Sequence, residues 1–217
     1  MLTLTDLTLS LSGRPPGTAL VRLTASVAAG EVLTIMGPSG TGKSTLLSAL
    51  IGALDPAFTI AGRVTLNGQD ITDLPTANRR IGILFQDDIL FPHLSVAGNL
   101  AFALPRHPGQ TRAARAQVID QGLAEMGLVG AGPRDPSTLS GGQRARVALL
   151  RALLAQPKAL LLDEAFSRLD TTLRGQIRRL VFDKARALPV IMVTHDAEDA
   201  RDAAGRVLTP LGEVVQV

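Results

Sequence analysis

The stretch Gly37-Pro38-Ser39-Gly40-Thr41-Gly42-Lys43-Ser44-Thr45 sits between the apolar run Val32-Leu33-Thr34-Ile35-Met36 and the segment Leu46-Leu47-Ser48-Ala49-Leu50. A buried strand, a glycine-rich loop and a helix must follow one another, which commits the chain to an α/β fold. The loop fits G-x-x-x-x-G-K-[ST]. In that pattern backbone N–H groups wrap a polyphosphate, the lysine meets its outer oxygens and the serine hydroxyl reaches magnesium. A glycine-serine connector with no ligand is the bland alternative. It is disfavoured because strand and helix flank the loop where phosphate binding needs them, so the expected ligand is a nucleoside triphosphate.

Composition narrows the partners. The 217 residues are 46% hydrophobic, ordinary for one globular unit. No apolar run approaches the roughly 18 to 20 residues that span a bilayer. The opening residues 1–6 lack a basic segment followed by an apolar one, so a cytoplasmic protein is expected. With no cysteine, disulfides and thiolate metal sites are excluded. The pI near 10.1 suggests a nucleic-acid binder, yet the net charge is only +3 and neither Tyr nor Cys is present to titrate above neutrality. There is no dense basic block and no Trp or Tyr to stack bases, so nucleic acid is not an expected partner.

Residues 2–11 and 19–27 alternate apolar and polar side chains as half-exposed strands do. Arg63-Val64-Thr65-Leu66 before the turn signal Asn67-Gly68, and Ile81-Gly82-Ile83-Leu84-Phe85, read as further strands. Helical spacing takes over at 96–104, 113–126 and 143–155, a helical block inserted into an α/β core. The core resumes with the strand Leu160-Leu161-Leu162, a helix over 171–188, the strand Val190-Ile191-Met192-Val193, a short acidic helix, and a closing β pair of Val207-Leu208 with Val214-Val215. Strands alternating with helices imply a mainly parallel sheet, with ligands at the strands' C-terminal ends.

Three features bear chemistry. Asp163 and Glu164 end the apolar run 160–162, where an aspartate can hold Mg²⁺ beside Ser44. Glu164, on the other side of the pleat, is placed to orient or deprotonate a water; capping of the next helix is the alternative role for both. Leu139-Ser140-Gly141-Gly142-Gln143 opens a helix. Ser140 and Gln143 have capping-box spacing, but two glycines cost about 1 kcal/mol each relative to alanine, which suggests close approach to a second anion. One triphosphate does not need two such cradles from one chain, whereas two chains sandwiching nucleotide do. His195, after the strand 190–193, and Gln86, after 81–85, end core strands on the same expected edge.

The ordered set of residues 37–45, Gln86, 139–143, 160–164, Ser167-Arg168-Leu169-Asp170 and His195 resembles the ATP-binding-cassette ATPases over essentially the whole chain. The resemblance implies a P-loop NTPase with a RecA-like core, an N-terminal antiparallel β-subdomain and an inserted helical subdomain. It forms one domain over 1–217, with core at 1–86 and 157–217 and helical subdomain at about 87–156. It also implies ATP and Mg²⁺ as cofactors. The Walker A loop Gly37 to Thr45 and the signature Ser140, Gly141, Gly142 and Gln143 would bind nucleotide, together with Asp170 of the D-loop. Ser44, Gln86 and Asp163 would hold the metal; Glu164 would be the catalytic base, with Gln86 and His195 as catalytic partners.

Residues 85–100 are similar to the same region in bacterial importer ATPases, where it receives the permease coupling helix. The implied partners are a second copy on ATP binding, inner-membrane permease subunits and, indirectly, a periplasmic solute-binding protein. The implied location is the cytoplasmic face of the inner membrane. An ATPase of an export or cell-envelope complex is the alternative, while a small-molecule kinase leaves 139–143 unexplained. Three residues depart from the family pattern. No aromatic precedes the Walker A loop, where only Arg14 among 11–17 offers a plane for the base; Ala165 replaces a proline, and Arg168 an alanine.

Overall fold

The computed structural model describes residues 1–13 and 18–217, so Arg14 lies outside the described residues. The first alternating segment becomes β1 (Leu2–Leu11), with Leu2, Leu4, Leu7 and Leu9 buried. Its apolar period slips by one residue between Leu4 and Leu7. A bulge absorbs the slip, with Asp6 at φ 48° and a register shift against the next strand. The chain continues through β2 (Ala19–Val27), β3 (Val32–Met36), α1 (Lys43–Ile51), β4 (Phe58–Leu66), β5 (Gln69–Asp70), α2 (Thr76–Arg79) and β6 (Ile81–Leu84). Next come α3 (Val96–Ala103), α4 (Arg112–Glu125) and α5 (Gly141–Leu154). β7 (Ala159–Asp163), α6 (Thr171–Lys184), β8 (Val190–Thr194), α7 (Ala197–Asp202) and β9 (Arg206–Leu208) complete it.

Two compact units divide the chain. One comprises residues 1–83, 158–164 and 182–217; the other comprises 84–157 and 165–181. In the first, an antiparallel sheet of order β2-β1-β4-β5 accompanies a five-stranded sheet of order β6-β7-β8-β3-β9, whose last residue of β6, Leu84, opens the second unit. The β7–β8, β8–β3 and β3–β9 ladders are parallel. β7 and β8 are apolar without alternation and buried along their length, as strands covered on both faces are. One apolar core joins Leu2, Leu4, Leu7 and Leu9 of β1, the inward side chains of β2 and β3, Leu46, Leu47 and Leu50 of α1, and Leu161, Ile191 and Val193. Register aligns Met36 with Thr194 and Val193 with Asp163, so three strands end together at one edge.

Arg79 is almost completely buried in this unit. Its guanidinium donates to the carbonyls of Ala49 (2.7 Å), Leu50 (3.1 Å), Thr72 (2.5 Å) and Leu74 (2.7 Å). Two of those carbonyls belong to the last turn of α1, where a cation meets the negative end of the helix dipole.

The second unit packs α3 against α4 and α5. Asn99, fully buried, accepts from the Phe91 N–H (2.7 Å) and donates to the carbonyls of Phe91, Leu94 and Ser95, pinning the loop ahead of α3. Arg115 of α4 donates to the carbonyls of Ala101 and Leu104, closing the end of α3.

Some boundaries differ from the sequence reading. β4 starts at Phe58 rather than Arg63, because Gly62 interrupts the alternation at the bulge opposite Asp6. α6 stops at Lys184 instead of Leu188: the chain leaves it through a turn in which the Leu188 N–H donates to the Ala185 carbonyl (2.8 Å), and Pro189 disfavours helical geometry at Leu188. The closing β pair is a single antiparallel bridge, Leu208 to Val214. Among the described residues, no helix is long and apolar enough to cross a membrane.

Candidate functional site

The loop after β3 is held from within. Lys43, 5% exposed, donates from Nζ to the carbonyls of Gly37 and Pro38 at 2.8 Å each, and Thr41 Oγ1 donates to Pro38 at 2.8 Å. The ammonium therefore faces the inside of the loop. Gly42 caps α1 with φ 88°, and a Cβ there would meet Val21 Cγ2 at 3.1 Å and Leu20 Cβ at 3.2 Å. Only glycine satisfies both the left-handed backbone and the close approach of β2. α1 carries no acidic side chain in its first turn and no side-chain cap, so its leading N–H groups face the loop, the arrangement that receives an anion.

Ser44 opens α1 and Asp163 closes β7, and sheet register brings them together. Ser44 Oγ donates to Asp163 Oδ1 at 3.1 Å. Burial raises the Asp163 pKa above the ordinary value, offset by the Ser44 hydrogen bond, raised again by Glu164 and lowered by Lys43. A carboxylate that burial makes costly to ionise is one that a cation stabilises. Hydroxyl and carboxylate are hard oxygen donors, and among the described residues no cluster of three or more His, Cys, Asp or Glu forms a metal cage. That sparse donor set fits Mg²⁺, which keeps waters and substrate phosphates in its shell.

Glu164 does not simply take the opposite side of the pleat. It lies just beyond β7 with φ 47°, its N–H donating to the Val193 carbonyl at 3.0 Å. The turn brings Glu164 Oε2 within 3.2 Å of His195 Nδ1, immediately after β8. The start of α6 is capped by Asp170, whose Oδ1 accepts from the Leu173 N–H at 3.0 Å.

In the second unit, Ser140 and Gln143 form a reciprocal capping box: Ser140 Oγ accepts from the Gln143 N–H (3.3 Å) and Gln143 Oε1 from the Ser140 N–H (3.0 Å). The two glycines have different reasons. A Cβ on Gly142 would lie 2.6 Å from Leu173 Cδ1, so packing against α6 requires glycine there, whereas Gly141 has open space. Ser140 is exposed, as is Gln86. The structure thus unites Lys43, Ser44, Asp163, Glu164 and His195 in one unit, while Gln86, residues 140–143 and Asp170 belong to the other. Sequence reasoning missed Arg79 and Asn99. Asn99 stands as a lone polar side chain in an apolar stretch, a signal that could have found it, whereas Arg79 lies between Asn78 and Arg80 and nothing in its local sequence marks it for burial.

Comparison with known proteins agrees with this chemistry. Residues 20–167 match the family model described as ABC transporter. The chain is 55% identical over 187 residues to the uncharacterized ABC transporter ATP-binding protein YnjD of Escherichia coli, covering 85% of each. It is 45% identical to the thiamine import ATP-binding protein ThiQ of Jannaschia sp., covering 84% of this chain and 79% of that one. With the sulfate/thiosulfate import ATP-binding protein CysA of Caulobacter vibrioides it shares 44% identity over 90% of its own length, spanning only 58% of that relative. A phosphate loop backed by a half-buried aspartate, and a family match across most of the chain, lead to one assignment: the chain belongs to the ABC transporter family, as an ATP-binding and ATP-hydrolysing subunit.

Proposed function

We propose that the chain energises a binding-protein-dependent importer, two copies closing on two molecules of ATP at an inner-membrane permease. The observation that carries the catalytic part is the convergence of Ser44 with Asp163 and of Glu164 with His195, where β7 and β8 end. Import rather than export is supported by relatives named for sulfate/thiosulfate and thiamine import.

In this reading the backbone of 37–45 cradles the β- and γ-phosphates, and Lys43 turns from its own loop carbonyls to their oxygens. Ser44, Asp163 and Gln86 would hold Mg²⁺, which when bound would neutralise charge on the phosphates. Glu164 accepts the proton of the attacking water while His195 fixes its carboxylate. A second copy completes the site with Ser140, Gly141, Gly142 and Gln143, and with Asp170. The first unit then corresponds to the RecA-like core with its antiparallel β-subdomain, the second to the helical subdomain. The chain works at the cytoplasmic face of the membrane, with a solute-binding protein as its indirect partner.

Affinity purification of tagged chain from detergent-solubilised membranes of its source organism tests the importer reading. A multi-span permease encoded beside a solute-binding protein is the expected companion. Recovery of an export or cell-envelope complex instead would contradict import and leave the ATPase assignment standing.

A further inference from the structure

The second compact unit holds a charged network that the proposed reaction does not use. Asp87 and Asp88 directly follow Gln86. The Asp87 carboxylate accepts from the Arg168 guanidinium. Asp88 Oδ2 accepts from Arg144 Nε at 3.2 Å, while Arg144 Nη1 donates to the Leu139 carbonyl at 2.8 Å. Behind them Arg151 donates to the Ile89 carbonyl at 2.8 Å. Asp87, Asp88, Arg144 and Arg168 line a groove of about 550 Å³ that Gln86 and Gly141 also border.

Three sequence-distant segments meet here, each carrying a candidate site residue close to a member of the network: Gln86 directly before Asp87, Ser140 directly after Leu139, whose carbonyl Arg144 holds, and Asp170 two positions beyond Arg168. Adjacent carboxylates repel unless each has its own cation, and here each has one: Arg144 of α5 for Asp88, and Arg168, ahead of α6, for Asp87. Arg144 uses separate N–H groups for a side chain and a backbone carbonyl, which fixes both in one geometry; a lysine point charge does not. Exposed pairs such as Arg168 with Asp87 add little to folding stability, so their value lies in orientation.

We propose that Asp87 and Asp88 are positioning residues that tie the Gln86 segment to the Ser140 turn through Arg144 and to the Asp170 segment through Arg168, so that the three move as one piece. The inference rests on the two-copy ATPase reading. It assigns these residues no contact with nucleotide; they act through Gln86, Ser140 and Asp170.

The test is steady-state ATPase of the full-length chain at low and high ionic strength, with Asp87→Ala, Arg168→Ala, the double variant, and Arg168→Lys. Each single alanine variant is expected to lower kcat roughly fivefold with KM changed less than about twofold, the scale an exposed ion pair supplies. The double variant should be no worse than either single, Arg168→Lys should recover most of the loss, and high salt should shrink the differences by screening. All variants should unfold at the wild-type temperature. Additive losses, a KM effect alone, or unchanged kcat would overturn the inference while wild-type turnover keeps the ATPase reading intact. A wild type without turnover would overturn both.

Discussion

At Glu164 the backbone takes a left-handed conformation that a side chain with a Cβ rarely adopts, φ 47°, and the carboxylate meets His195 as a result. Such a turn costs on the order of 1 to 3 kcal/mol and persists where surrounding structure enforces it, here through the hydrogen bond to Val193. Glu164→Gln keeps the shape and removes the proposed base. It is expected to leave ATP affinity within about threefold of wild type and lower kcat by about 10² to 10⁴, read by equilibrium titration and single-turnover hydrolysis. The phosphate loop was legible because its chemistry is local: nine consecutive residues define it. The contact between Glu164 and His195 was not. It depends on the parallel register of β7 and β8 and on one left-handed residue, neither of which local sequence specifies.

Asp70 offers a pH test at the same scale. The side-chain hydrogen bond from Thr72 (2.6 Å), then the one from the Thr72 N–H (2.9 Å), hold its carboxyl below the ordinary value, with Arg63 contributing less. A depressed native pKa means the unfolded chain binds protons more readily. Asp70 therefore contributes stability above the ordinary carboxylate value, and loses it as pH falls through the lower native one. Asp70→Asn should lower the urea midpoint at neutral pH, and the gap from wild type should narrow as the solution is acidified through that window.

Among elements, α1 shows how a catalytic helix is anchored at the end away from its phosphate loop. Arg79 satisfies carbonyls of its last turn and of the 72–74 segment from a nearly sealed position. Its pKa is lowered by burial, with Asp73 opposing, and four carbonyl acceptors offset the cost of placing the charge there. Arg79→Met fills similar volume but strands those carbonyls. A loss of about 3 kcal/mol is expected in denaturant unfolding, with a visible drop in thermal midpoint. Element type was readable from period, while element ends were set by bulges and proline: Asp6 with Gly62 in β1 and β4, Pro189 after α6. The turn 139–143 combines two demands that sequence could not separate. Its serine and glutamine cap α5 as their spacing announced, yet Gly142 is fixed by Leu173 rather than by an anion alone.

For the whole molecule, candidate residues are shared between two compact units: the uncapped start of α1 lies in one, and the Ser140 turn that opens α5 lies in the other. The ordered motifs made both segments stand out in the sequence. How two copies would meet is not encoded in any local pattern, since it depends on surfaces assembled from separated segments. The most direct measurement is sedimentation velocity of the Glu164→Gln chain with Mg·ATP and with Mg·ADP. A mass of two chains with ATP that returns to one chain with ADP, and that is lost on Ser140→Arg, is the result expected. A strictly monomeric species under saturating ATP would contradict the account.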